Sequence, residues 1–121
     1  WLLYPYMLTE GTRRGLSLER IVGLCATNAA LAYGLAPRKG AIRIGADADL
    51  AIVDMDTMRN VTPELLLSAQ EYTPFEGMQL TGWPVRTILR GVTVYENGGP
   101  VGPPRGEFLR RPLAAVSTDP G

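Results

Sequence analysis

A change of hydrophobic period near Gly40 constrains this chain more than any other feature. Before it, apolar residues recur at the three- and four-residue spacing of a helix; after it, they fall in short β-branched runs punctuated by Gly and Pro. Helices followed by strands, in that order, make an α+β chain. The 121 residues suit one ordinary domain, and 45% apolar with 20% charged residues is a core-forming composition.

Residues 1–15 read as a helix with Leu2, Leu3, Tyr6 and Met7 on one face, Arg13 and Arg14 in the last turn, and Gly15 as a left-handed stop. Ser17 is the natural N-cap of a second helix over residues 18–26, with Leu18, Ile21, Val22 and Cys25 as its apolar stripe. Thr27 is read as the cap of a short third helix, closed by Gly34 and stopped by Pro37. Residues 40–45 and 49–56 read as strands, the second with Leu50, Ile52 and Asp54 on one face. Pro63 opens a helical turn over residues 64–69, residues 72–77 form a loop, and residues 85–90 and 92–96 form a hairpin around Gly91. Asn97 to Pro100 end it, and the Pro- and Gly-rich remainder is expected to wrap another surface or to be partly disordered. Three or four strands with unpaired edges behave as part of a larger core.

The absence of histidine decides most of the chemistry. No Ser-His-Asp or Cys-His arrangement fits within the chain, nor a zinc site built on imidazole. Cys25, the single cysteine, lies in an apolar run and reads as a small buried hydrophobe of a reducing, cytoplasmic compartment. Asp47, Asp49, Asp54 and Asp56 fail the calcium-loop spacing, because Ile52 and Met58 stand where a glycine and an acid are needed; they are read as shaping the entry and exit of a strand. The glycines at 40 and 45 lack the following helix that a phosphate cradle requires. Arg13, Arg14, Arg105, Arg110 and Arg111 read as solvated ends and tails, Glu71, Tyr72 and Glu76 as loop anchors, and Trp1, Tyr4, Tyr6 and Trp83 as packing residues. With 12 basic against 12 acidic residues and no basic stripe, nucleic acid is not an expected partner. No apolar run approaches the roughly 18 residues of a membrane span.

The stretches Leu8-Thr9-Glu10-Gly11, Gly15 to Val22, Ala26 to Ala30 and Tyr33-Gly34-Leu35 resemble the final barrel helices of dihydroorotases, allantoinases and hydantoinases. The pattern Lys39-Gly40-Ala41-Ile42, Gly45 and Ala48-Asp49-Leu50 resembles the amidohydrolase signature at the return to a small β domain. Tyr72 to Gly77, Gly82 and Thr87 to Gly91 resemble the cyclic-amide branch. The resemblance covers about residues 2–111. It implies the last helices of a (β/α)8 barrel over residues 1–38, the C-terminal half of an accessory β-sandwich over residues 39–111, and a flexible tail over residues 112–121. Leu18, Ile21, Val22 and Leu24 would then pack on the barrel, and Leu50, Ile52, Val85, Ile88, Val92 and Val94 would build the sandwich.

In that family one or two metals, usually zinc, are held by histidines, often a carboxylated lysine, and an aspartate, and a metal-bound hydroxide attacks the cyclic amide carbonyl. None of these residues maps onto this chain, so no catalytic, cofactor-binding or metal residue is assigned in it; zinc is expected in the parent enzyme alone. The start at Trp1 reads as processing or excision from a longer polypeptide. Expected partners are the remainder of the same enzyme or a second copy, as a homo-oligomer. Alternatives are a non-catalytic oligomerisation module of the same fold and an independent small α+β binding domain.

Overall fold

The structure, a computed structural model that describes residues 2–66 and 69–110, sets a first helical rod on an antiparallel meander and a second rod against the first. The first rod begins as α1 (Leu3–Tyr6) and passes into a π-helical turn (Met7–Gly11). There the Thr9 hydroxyl donates to the Pro5 carbonyl at 2.8 Å, a side-chain bond inserted into the helical ladder. The inward face is Pro5, Leu8 and Gly11, whereas Leu3 of the expected stripe is exposed. Gly11 belongs to that face because a Cβ there would lie 3.0 Å from Ile21 Cδ1. Gly15, at φ 80°, ends the rod as expected, and the Leu16 N–H returns to the Gly11 carbonyl at 2.9 Å.

The second rod is α2 (Leu18–Val22), a π turn (Gly23–Thr27) and α3 (Asn28–Ala32) in one run. Ser17 caps it by accepting from the Arg20 N–H at 3.3 Å. The expected break at Thr27 is absent: its φ of −64° is helical, and its hydroxyl donates instead to the Gly40 carbonyl at 2.8 Å. That bond is possible because Gly40, at φ 89°, comes so close to α3 that a Cβ would lie 2.5 Å from Ala30 Cβ. Gly34 closes the rod at φ 66°, with the Leu35 N–H on the Ala30 carbonyl at 2.8 Å. Of the expected stripe only Ile21 is buried; Leu18 and Val22 are half exposed.

Residues 40–45 form a turn rather than a strand. Gly40 and Gly45 both have positive φ, and the Asp47 N–H closes the loop on the Arg38 carbonyl at 3.0 Å. Ile42 and Ile44 stand in solvent, 89% and 105% exposed, where a buried strand would have turned both to one covered face.

The sheet runs β1 (Leu50–Asn60), β2 (Gln79–Leu89), β3 (Val92–Glu96) and β4 (Gly99–Pro100), in sequence order and antiparallel throughout. The hairpin at Gly91 is as expected, with Arg90 at φ 47° and Gly91 at φ 79° as its two left-handed turn residues. Asn97 and Gly98 repeat that geometry, so residues 97–100 continue the meander into β4 rather than end it. Both long strands exceed their expected lengths. β1 runs on past Asp56 through a bulge that carries the register from Asp54 opposite Trp83 to Met58 opposite Thr81. Asp54 builds the bulge, accepting from the Asp56 N–H at 2.9 Å and the Thr57 hydroxyl at 2.7 Å. Asp54 and Asp56 therefore shape the middle of the strand and not its exit. Ile52, expected on a buried face, is exposed. The turn expected over residues 64–69 is a 3-10 turn (Glu64–Leu66), with residues 67 and 68 outside the described residues, as are Trp1 and the tail expected from residue 112.

The core lies where the first rod crosses β2. Val61, Leu80 and Trp83 are buried there, flanked by Leu2, Tyr6, Leu65 and Met78. Gly82, at φ 84°, lets Leu8 seat on the strand: a Cβ would lie 2.8 Å from Leu8 Cδ1. Thr9 fixes the crossing, its oxygen accepting from the Thr81 N–H at 2.8 Å. β2 has no β3 partner at this end, so a helix side chain completes its hydrogen bonding.

Candidate functional site

The densest polar cluster is the junction between the second rod and the sheet. The Lys39 ammonium lies between two carboxylates, 2.7 Å from Asp47 Oδ2 and in direct contact with Asp49 Oδ2. Arg38 also reaches Asp47, at 2.9 Å. Asp49 Oδ1 accepts the Arg90 N–H at 2.8 Å, and the Gly91 N–H donates to the Ala48 carbonyl at 3.0 Å. One aspartate thus ties the exit of the helices to the tip of the β2–β3 hairpin.

Protonation follows from these contacts. Burial alone would lower the Lys39 ammonium, but the bonds to Asp47 and Asp49 outweigh it and hold the group above its ordinary value. The bond to Lys39, against some burial and with help from Arg38, keeps Asp47 below the usual carboxylate range. Burial works to raise Asp49, and Lys39 with the Arg90 N–H overcomes it, so its carboxyl is also lowered. All three are charged at neutral pH and mutually satisfied. The cluster is a structural knot: its cation is neither a free base nor a nucleophile, and its carboxylates carry no proton to give.

Two open apolar grooves flank the rods. One, of about 570 Å³, runs between the second rod and β1, walled by Ile21, Val22, Ile42, Leu50 and Met55. The other, of about 470 Å³, lies between α1 and the sheet, lined by Leu3, Tyr4, Leu65, Trp83, Val94 and Tyr95. Arg59 stacks over Trp83 at 5.4 Å, and the Trp83 indole N–H donates to the Leu80 carbonyl at 2.8 Å.

The other candidate residues take up bland roles. Cys25 is half-buried, and burial pushes its thiol up, away from a reactive thiolate. Arg13 and Arg14 both turn to Glu10, at 3.1 and 3.6 Å, and the Arg13 bond lowers that carboxyl. Arg105 offers its carbonyl, not its guanidinium, to Arg90, while Arg110 is exposed and Arg111 lies outside the described residues. Glu71, Tyr72 and Glu76 are exposed; the loop is anchored instead by Thr73, which is buried and accepts from the Phe75 N–H at 3.3 Å. Tyr6 packs edge-on against Phe75 with centroids 5.7 Å apart, in keeping with a packing role. Among the described residues no group of three or more His, Cys, Asp or Glu side chains could hold a metal, and no helix is long and apolar enough to cross a membrane. Sequence reasoning gave Lys39 and Thr9 no role. Their partners lie 10 and 72 residues away, and no local spacing rule could have joined them.

Comparison with known proteins places this geometry. The model of the amidohydrolase family matches residues 3–94. The chain is 44% identical over 95 residues to an L-hydantoinase of Paenarthrobacter aurescens, covering 78% of this chain and 21% of that protein. It is 43% identical over 109 residues to an allantoinase of Rubrobacter xylanophilus, covering 89% and 24%. It is 33% identical over 96 residues to a dihydroorotase of Bacillus caldolyticus, covering 78% and 22%. The solved L-hydantoinase of Arthrobacter aurescens superposes with a TM-score of 0.75 at 42% identity, over 81% of this chain and 22% of that one. The chain thus spans less than a quarter of the length of each of these proteins. With a match that extends from α1 through the rods, the Lys39–Asp49 knot and into β3, the chain belongs to the amidohydrolase family.

Proposed function

We propose that this chain is the C-terminal structural portion of a metal-dependent hydrolase that opens cyclic amides such as hydantoins, dihydropyrimidines, dihydroorotate or allantoin. The rods correspond to the last helices of a (β/α)8 barrel and the meander to the C-terminal strands of a small β-sandwich, in a cytoplasmic enzyme. The observation that carries this reading is a family match through both layers of a chain that contains no histidine.

Zinc does not fit the residues present. Imidazole is absent, and Asp47 and Asp49, the two carboxylates that share a neighbour, are both paired with Lys39. No step of hydrolysis is therefore assigned to this chain. Its contribution is mechanical: Leu8 on Gly82, Thr9 on Thr81 and Lys39 on Asp49 fix the rods on the sheet. The two open grooves supply apolar surface for the remainder of the enzyme, in keeping with relatives of which this chain matches less than a quarter.

The test sets the isolated chain beside the complete protein. Metal analysis and hydrolysis assays with hydantoin, dihydrouracil, dihydroorotate and allantoin are expected to show zinc and turnover in the complete protein only. Stoichiometric zinc or turnover by the isolated chain would overturn the assignment of a structural role. A complete protein inactive on all four would favour a non-catalytic assembly role.

A further inference from the structure

Beyond β4 the chain turns back over the hairpin that the knot supports. The Val101 N–H donates to the Val94 carbonyl at 2.9 Å, which lays the start of the segment along β3. Four residues later the Arg90 guanidinium donates to the Arg105 carbonyl, and it pairs with Glu107 at 3.1 Å. Phe108, immediately after, is 89% exposed. Residues 101–110 have no regular secondary structure, and nearly all are exposed. Past that backbone bond, the Arg90 side chain ties the segment to the hairpin at both Arg105 and Glu107.

We propose that residues 101–110 are a detachable strap, clasped to the tip of the β2–β3 hairpin by the Arg90 side chain. The placement of Arg90 makes it suited to this. It occupies a left-handed turn position at φ 47°, and its backbone N–H is fixed by Asp49, which Lys39 anchors in turn. The clasp therefore projects from a turn that the Asp49 bond ties to the knot. The bond it makes is weak: the Glu107 side chain is more than half exposed, so water and salt compete for the pair. A strap held this way exchanges between a docked state and a released one, and release frees Phe108 to move with it.

Limited trypsin digestion of the whole chain, read by mass spectrometry, separates the two states through cleavage after Arg105. When opening and closing are fast, cleavage follows the population of the open form. Glu107→Gln removes the ion pair. Arg90→Asn removes the guanidinium but keeps a residue that tolerates the left-handed turn. Each is expected to speed cleavage after Arg105 by about two- to fivefold, the range for a half-exposed charge pair. High salt should speed the wild type and leave both variants nearly unchanged. Cleavage after Arg20, inside α2, reports global loosening and should stay constant. Equal Arg105 rates in all three proteins, or rates at Arg105 and Arg20 that rise together, would overturn the strap.

Discussion

Thr9 shows how one hydroxyl can join two layers. It donates to the Pro5 carbonyl within its own rod and accepts from the Thr81 N–H of a strand 72 residues away. Valine has nearly the same shape but offers no oxygen, so Thr9→Val leaves the Thr81 N–H without its partner at a part-buried site. The expected cost is about 1–3 kcal/mol, the penalty for an orphaned buried donor. Urea denaturation followed by tryptophan fluorescence would measure it, and a midpoint equal to wild type would show that water replaces the hydroxyl. In the sequence Thr9 stands within a helical stretch that carries the family resemblance, with no bond assigned to it. A residue's bonds within its own turn can be guessed from spacing, but a bond to a distant strand exists only after the chain has folded back.

At the scale of elements, the first rod meets the sheet through apolar packing, and the exit of the second is tied to it through charge. Asp47 and Asp49 both titrate below their ordinary range because of Lys39 and their other donors. A carboxyl whose folded value is depressed stabilises the fold fully above its unfolded value, about pH 4. That contribution is lost as pH falls through the folded value. The urea midpoint should therefore drop as pH is lowered from 5 to 3. In an Asp47→Asn, Asp49→Asn double variant the drop should be shallower; Asp54, Glu10, Glu19 and Glu64 are also lowered and keep some slope. Equal slopes in the two proteins would mean that the knot is broken in the folded state without cost.

For the molecule as a whole, the surface is the telling feature. Ile21, Val61 and Leu80 are fully buried, but Leu31, Ile42, Ile44 and Phe108 are largely exposed, and both grooves stand open. Among the described residues β1, eleven residues long, pairs with β2 alone and has no strand on its other edge. Apolar surface and unpaired edges of this extent draw in other chains. In isolation the chain is expected to self-associate, with a sedimentation-velocity mass above one chain that grows with concentration. A well-folded monomer at every concentration would contradict this.

Local physics in the sequence was enough for the punctuation of the fold. Ser17 had to cap and Gly15 and Gly34 had to stop, because an N-cap oxygen and a left-handed residue act within one turn of chain. The hairpin at Gly91 followed for the same reason. The missing imidazole excluded a histidine-based site before any geometry was known. Tertiary structure decided what depends on distant partners. Residues 40–45 alternate like a strand, yet among the described residues no strand pairs with them, and they close on Arg38 as a turn. Thr27 has a capping side chain, yet Gly40 takes it. Which apolar residues are covered was likewise not written in their spacing, since burial is a property of what packs against a face and not of the face itself.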